Sequence, residues 1–113
     1  LQGNSKIEAE KIYEDALQLE RSGVFAIVLE MIPEKLAKKI TDDLQIPTIG
    51  IGAGAYTSGQ VLVLQDLLGM SNKFNPSFVR KYFNGYDVIR KALNSFDDDV
   101  KKGSFPGNEE IIK

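Results

Sequence analysis

The chain has 113 residues and a net charge of −2, with 42% hydrophobic and 27% charged residues, the make-up of one modest soluble domain with a real core. That balance leaves no basic footprint for nucleic acid, and no apolar run reaches the ~18 residues of a membrane span or lies where a signal peptide would. Cysteine and histidine are both absent, which excludes disulfides and thiolates and leaves acid–base chemistry to carboxylates, lysines or tyrosines, in keeping with a reducing cytoplasm.

Ala9, Ile12, Ala16 and Leu19 recur at helical spacing. Asn4 or Ser5 can cap this helix, with Glu8 completing a capping box, and Ser22-Gly23 stops it. A strand is predicted over 24–30. Its continuous apolar run, Val24 to Leu29, does not alternate with polar residues, so both faces are expected to be covered, as in a parallel sheet. Pro33 suits the first position of a second helix, whose apolar stripe is Leu36, Ile40 and Leu44, with Ala37 beside it. The next strand is predicted over 46–51, with Pro47 tolerated near its start.

After Gly54 a polar turn leads to Val61-Leu62-Val63-Leu64, read as a third strand over 61–65, with a helix as the competing reading. Alternation of strands and helices predicts an α/β fold with a parallel sheet. Two terminal helices follow, near 76–83 and 88–102. Asn75-Pro76 starts the first and Asn84-Gly85 breaks it. Asp87 caps the second, which carries Val88, Ile89, Ala92, Leu93, Phe96 and Val100 on one side and ends at Gly103.

In α/β folds the carboxyl ends of parallel strands are where chemistry collects. Glu30 closes the first strand and has two readings: a solvated acid at a strand end, or a general base whose pKa is raised by Leu29, Met31 and Ile32. Gly50, Gly52 and Gly54 also have two readings. They let a strand close tightly into its turn, or they let a substrate or cofactor approach the backbone. The pattern is not G-x-G-x-x-G, which leaves a nucleotide-binding reading resting on glycines alone. Asp66, expected at the end of the third strand, either orients a ligand or bonds loop backbone. The run Asp97-Asp98-Asp99 diverges around a helix axis and reads as a solvated face.

Five stretches stand together in order and spacing: Leu1-Gln2-Gly3, Val28-Leu29-Glu30-Met31-Ile32-Pro33, Ile46 to Gly54, Gly59 to Asp66, and Phe105-Pro106-Gly107. Through them the chain resembles the carboxyl-terminal part of the ketopantoate hydroxymethyltransferases. The resemblance implies residues 1–113 of a partial (β/α)8 TIM barrel, with the three strands as its sixth, seventh and eighth. It implies hydroxymethyl transfer from 5,10-methylenetetrahydrofolate to 3-methyl-2-oxobutanoate, giving 2-dehydropantoate for pantothenate and coenzyme A synthesis.

Glu30 falls on the family's general base, and Gly50, Gly52, Gly54 and Asp66 fall in motifs near substrate or cofactor. Magnesium is the implied cofactor, with its ligands outside this chain, as is the lysine that binds the keto acid. The implied partners are the small keto acid and folate, and the complete enzyme is expected to be a homo-oligomer. A barrel needs about 250 residues, so the chain reads as a piece of a longer polypeptide, inactive alone. The alternative from a different class is a non-catalytic α/β module that assembles with other chains.

Overall fold

The computed structural model describes residues 1–113. Four α-helices and three short strands run in the order α1 (Lys6–Arg21), β1 (Ile27–Glu30), α2 (Glu34–Asp43), β2 (Thr48–Ile51), β3 (Gly59–Gln60), α3 (Leu64–Leu67) and α4 (Gly85–Lys102), followed by a 3-10 turn at Asn108–Glu110. The chain divides into two compact units, Leu1–Leu62 and Val63–Lys113. No helix is long and apolar enough to cross a membrane.

In the first unit, Ser5 Oγ accepts the Glu8 N–H at 3.2 Å and caps α1 as expected. Gly23, at φ +97°, follows the helix end. Ala16 is buried and Ala9, Ile12 and Leu17 pack against the core, while Leu19 of the predicted stripe is exposed. Pro33 is the residue preceding α2, and Leu36, Ala37, Ile40 and Leu44 are all buried. Glu20 Oε2 accepts the N–H groups of Gln45 and Ile46 at 2.6 and 3.1 Å, so the end of α1 holds the turn into β2.

The sheet has the order β1-β2-β3, and both pairings are parallel. Ile27 to Glu30 stand opposite Thr48 to Ile51, one to one. Pro47 lies just before β2 and its carbonyl accepts the Ile27 N–H at 3.1 Å, so the proline enters the ladder as an acceptor only.

One expectation fails here. The sheet is covered on one face, not two: Ile27 and Leu29 are buried with α1 and α2, whereas Val28 is 61% exposed and Glu30 is exposed. By the register, Val28, Glu30, Ile49 and Ile51 share the open face. A continuous apolar run conceals this alternation because apolar side chains occupy both faces.

Thr48 is fully buried and ties the layers together. Thr41 Oγ1 donates to the Ala37 carbonyl at 2.7 Å. Its single proton is thereby used, so Thr48 Oγ1 is the donor in the 2.8 Å Thr48–Thr41 bond. Thr48 Oγ1 in turn accepts the Ser58 N–H at 3.2 Å, and Ser58 Oγ accepts the Thr48 N–H at 3.0 Å. This chain of hydroxyls links α2, β2 and the turn before β3, and no buried side-chain polar atom lacks a partner.

In the second unit two predicted elements are corrected. No strand forms over 61–65: β3 is Gly59–Gln60, and only the Val61 N–H, bonded to the Gly50 carbonyl at 3.0 Å, continues its ladder. Leu64–Leu67 turn helical instead, with the Leu67 N–H donating to Val63 and the Leu68 N–H to Leu64. No helix forms over 76–83 either. The Tyr82 N–H donates to the distant Leu67 carbonyl at 2.8 Å, and the N–H groups of Gly85 and Tyr86, in the first turn of α4, donate to the carbonyls of Leu68 and Gly69.

Gly85 opens α4, contrary to its predicted role as a breaker, because a side chain there would collide with the Leu68 carbonyl. Asn84 Nδ2 donates to Asp87 Oδ2 at 2.8 Å in the first turn. Gly103, at φ +76°, ends α4 where predicted.

The buried hydroxyl chain makes a measurable prediction. Thr48→Val keeps the volume but leaves the Ser58 N–H without its acceptor and removes the bond that Thr41 Oγ1 accepts. Urea unfolding should show a loss of about 1–3 kcal/mol, and an unchanged midpoint would remove Thr48 from this linking role.

Candidate functional site

Parallel pairing puts the carboxyl ends of β1 and β2 at one rim, with Glu30 opposite Ile51. Beyond Glu30 the chain turns sharply. Met31 adopts φ +51°, a left-handed conformation that L-residues with a side chain rarely take. Two backbone bonds hold it there: the Met31 N–H donates to the Ile51 carbonyl at 2.9 Å, and the Met31 carbonyl accepts the Gln2 N–H at 2.9 Å. The first bond ties the exit of β1 to the last residue of β2. The second uses the Leu1-Gln2-Gly3 motif, whose Gly3 is buried at φ +78° under Leu36 and Ile12.

Glu30 itself is exposed, so the burial expected to desolvate it is not present in this chain. The five ion pairs all join residues within α1, α2 or α4 and none involves Glu30. Its carboxylate stands at the rim on the open face.

Beside it the glycine run forms an arch from Gly52 to Ser58. Gly52 and Gly54 have φ of +65° and +82°. The space at two of the three glycines is filled by the chain itself. A Cβ on Gly50 would meet Thr57 Oγ1 at 2.6 Å, and one on Gly54 would run into the Cγ of Glu34. Close packing thus supports the tight-turn reading at Gly50 and Gly54.

Successive backbone N–H groups around glycines can cradle an anion, but the Ala55 N–H already donates to Glu34 Oε2 at 3.0 Å.

The arch has further supports. Gln60 Nε2 donates to the Gly54 carbonyl at 2.8 Å and to Thr57 Oγ1 at 3.0 Å, and Thr57 Oγ1 donates to the Gly59 carbonyl at 2.8 Å. Lys38 of α2 lies 5.6 Å from the centroid of the Tyr56 ring. Its hydrogen bond to Asp42 raises its pKa above the ordinary lysine value, so it stays cationic through neutral pH.

The structure thus brings Glu30 and the glycine run together. Asp66 belongs to the other unit, as the third residue of α3 and not at a strand end. It is half-buried, and its backbone carbonyl accepts the Gly69 N–H at 3.0 Å. Across the chain no group of three or more acidic side chains is placed to hold a metal ion. Glu34, Gln60 and Met31 are not among the candidate site residues that the sequence singles out. None of the three has a linear signature, because each acts on backbone that is distant in sequence or through an unusual φ.

The family model described as ketopantoate hydroxymethyltransferase matches residues 1–108. A 3-methyl-2-oxobutanoate hydroxymethyltransferase of Coxiella burnetii (strain CbuK_Q154) is 52% identical over 106 residues, covering 94% of this chain and 40% of the relative. The protein of the same name from Clostridium kluyveri is 52% identical over all 113 residues, again 40% of its length. The one from Legionella pneumophila is 51% identical over 109 residues, 96% of this chain and 42% of the relative. The chain therefore spans about two fifths of the length of these relatives.

The backbone at Met31 can be tested directly. Glycine at position 31 should be tolerated, whereas Met31→Val should cost at least about 1 kcal/mol, since a β-branched residue is a genuine outlier at positive φ. Urea midpoints for the two variants check this, and equal stabilities would argue against the left-handed turn.

Proposed function

The chain belongs to the ketopantoate hydroxymethyltransferase family, and from that membership we propose that it supplies the general base of an enzyme that transfers a hydroxymethyl group to 3-methyl-2-oxobutanoate. The observation that carries this reading is the placement of Glu30. It stands at the carboxyl end of a parallel strand, on the open face, with its carboxylate outside every ion pair.

In the proposed reaction the Glu30 carboxylate takes the proton from carbon 3 of the keto acid. The C–H electron pair passes into the enolate, with charge on the ketone oxygen. Carbon 3 then attacks the methylene carbon of 5,10-methylenetetrahydrofolate. Both bonds from that carbon to folate nitrogens break and water supplies the hydroxyl oxygen; the proton held by Glu30 and the two from water end on those nitrogens and the product hydroxyl, so tetrahydrofolate leaves and the product is 2-dehydropantoate, a precursor for pantothenate and coenzyme A. A base held on a strand end keeps its geometry through this step better than one on a free loop.

The folate donor and the keto acid rest on the family resemblance, as does magnesium. The acids of this chain do not form a metal-binding group, so a metal finds no fit here and no step above is routed through one. In the complete enzyme its ligands come from other polypeptide.

We read the open sheet face as the inner wall of a (β/α)8 barrel. Helices cover one face only, and Val28, Ile49 and Ile51 leave an apolar surface on the other that requires cover. Gly52 lies next to Glu30's partner Ile51 and is the glycine proposed to leave room for substrate. Asp66 is kept as a substrate- or cofactor-proximal residue on the resemblance alone. The enzyme is proposed to be cytoplasmic and homo-oligomeric. The exposed Leu93, Phe96 and Val100 on α4 support assembly, and sedimentation velocity on the complete enzyme should show more than a monomer; a monomer would count against it.

The decisive experiment is Glu30→Gln in the complete, active enzyme. Turnover should fall by about 10²–10⁴-fold, the range for losing a general base, while KM for the keto acid changes little. Turnover near that of the unmodified enzyme would remove Glu30 from the base role.

A further inference from the structure

The peptide unit between Gly54 and Ala55 is gripped at both polar ends by side chains from different elements. Its carbonyl accepts Gln60 Nε2 of β3 at 2.8 Å, and its N–H donates to Glu34 Oε2 of α2 at 3.0 Å. Glu34 also lays its Cβ and Cγ into the space that any side chain at Gly54 would need. Gln60 makes a second bond to Thr57 Oγ1 at 3.0 Å, so the same amide braces both limbs of the arch. A backbone peptide held by an acceptor on one side and a donor on the other cannot rotate about its flanking φ and ψ without breaking a bond. Gly54, at φ +82°, has no Cβ of its own to resist such a rotation.

We propose that Glu34 and Gln60 are positioning residues that lock the Gly54–Ala55 peptide plane and so fix the wall of the site beside Glu30. The proposal rests on the reading of Glu30 as the general base. It extends that reading to two residues that touch neither substrate nor reacting atoms. The arch leaves β2 immediately after Ile51, the register partner of Glu30, so a rotation at Gly54 changes the space available next to the carboxylate. The requirement on residue 34 is an acceptor, not a charge, because a glutamine carbonyl can take the same N–H. The requirement on residue 60 is a donor of the same reach.

Two measurements test this and separate it from the assignment of Glu30. In the present chain, amide exchange followed by NMR should be faster at Ala55 in Glu34→Ala than in the unmodified protein, and close to normal in Glu34→Gln. Unchanged exchange at Ala55 in Glu34→Ala overturns the clamp whatever the reaction is.

In the complete enzyme, Glu34→Ala and Gln60→Ala should each lower kcat/KM by about tenfold to a hundredfold, the cost of a displacement on the order of 1 Å in a site wall. KM should carry much of that loss, and Glu34→Gln should restore kcat/KM to within about twofold. The double variant should lose much less than the product of the two single losses, since both act on one peptide plane. Glu34→Gln as poor as Glu34→Ala, or losses that multiply, overturn the positioning role. Failure of the Glu30→Gln prediction together with a normal response of Ala55 exchange would instead reject the base assignment and leave the clamp standing.

Discussion

Parallel pairing of Ile27–Glu30 with Thr48–Ile51 leaves the ends of the two strands flush, with Glu30 opposite Ile51. The geometry of the rim follows from this register. A shift by one residue would exchange the faces of β1 and carry Glu30 into the layer under the helices. Two interactions at opposite ends of β2 hold the register. Thr48 is anchored in the core by the Thr41 hydroxyl of α2 and by the Ser58 hydroxyl, which accepts its N–H from the turn before β3, and Ile51 accepts the N–H of Met31 as β1 ends. The left-handed turn at Met31 is the local strain accepted for that second bond.

The glycine run works against this fixed background. Glycines that look like a ligand cradle in one dimension are, in three, places where Thr57 and Glu34 press against the backbone. A close approach needs the missing Cβ in either case, so the same residue type serves both purposes. What distinguishes them is which atoms come near, and that depends on a helix and a loop on opposite sides of the arch. The carboxylate of Glu34 on the Ala55 N–H shows how the anion-binding character of such a loop can be satisfied within the protein.

Legibility in the sequence varied by element for physical reasons. The cap at Ser5, the buried stripe of α2 and the Gly103 terminator were all readable, because each is a local rule satisfied by nearby residues. The run Val61 to Leu64 was misread as a strand. It is apolar without a period, and β3 pairs only through Gly59–Gln60 before the chain turns into α3. The segment over 76–83 has helix-compatible residues, yet its Tyr82 N–H is claimed by the distant Leu67 carbonyl. Gly85 was misread for a similar reason: its value is room for the Leu68 carbonyl, which no helix propensity registers.

By itself the sequence determined the order α1, β1, α2, β2 and the later α4, the residues buried by α2, the candidacy of Glu30 and the family, since these depend on periodicity, local caps and motif spacing. Tertiary structure alone decided that the sheet is covered on one face, that Glu30 is exposed at the rim beside the glycine arch, and that Glu34 and Gln60 hold that arch. It also moved Asp66 from a strand end into a helical turn. Each of these outcomes depends on which distant backbone groups meet, and linear spacing carries no information about that meeting.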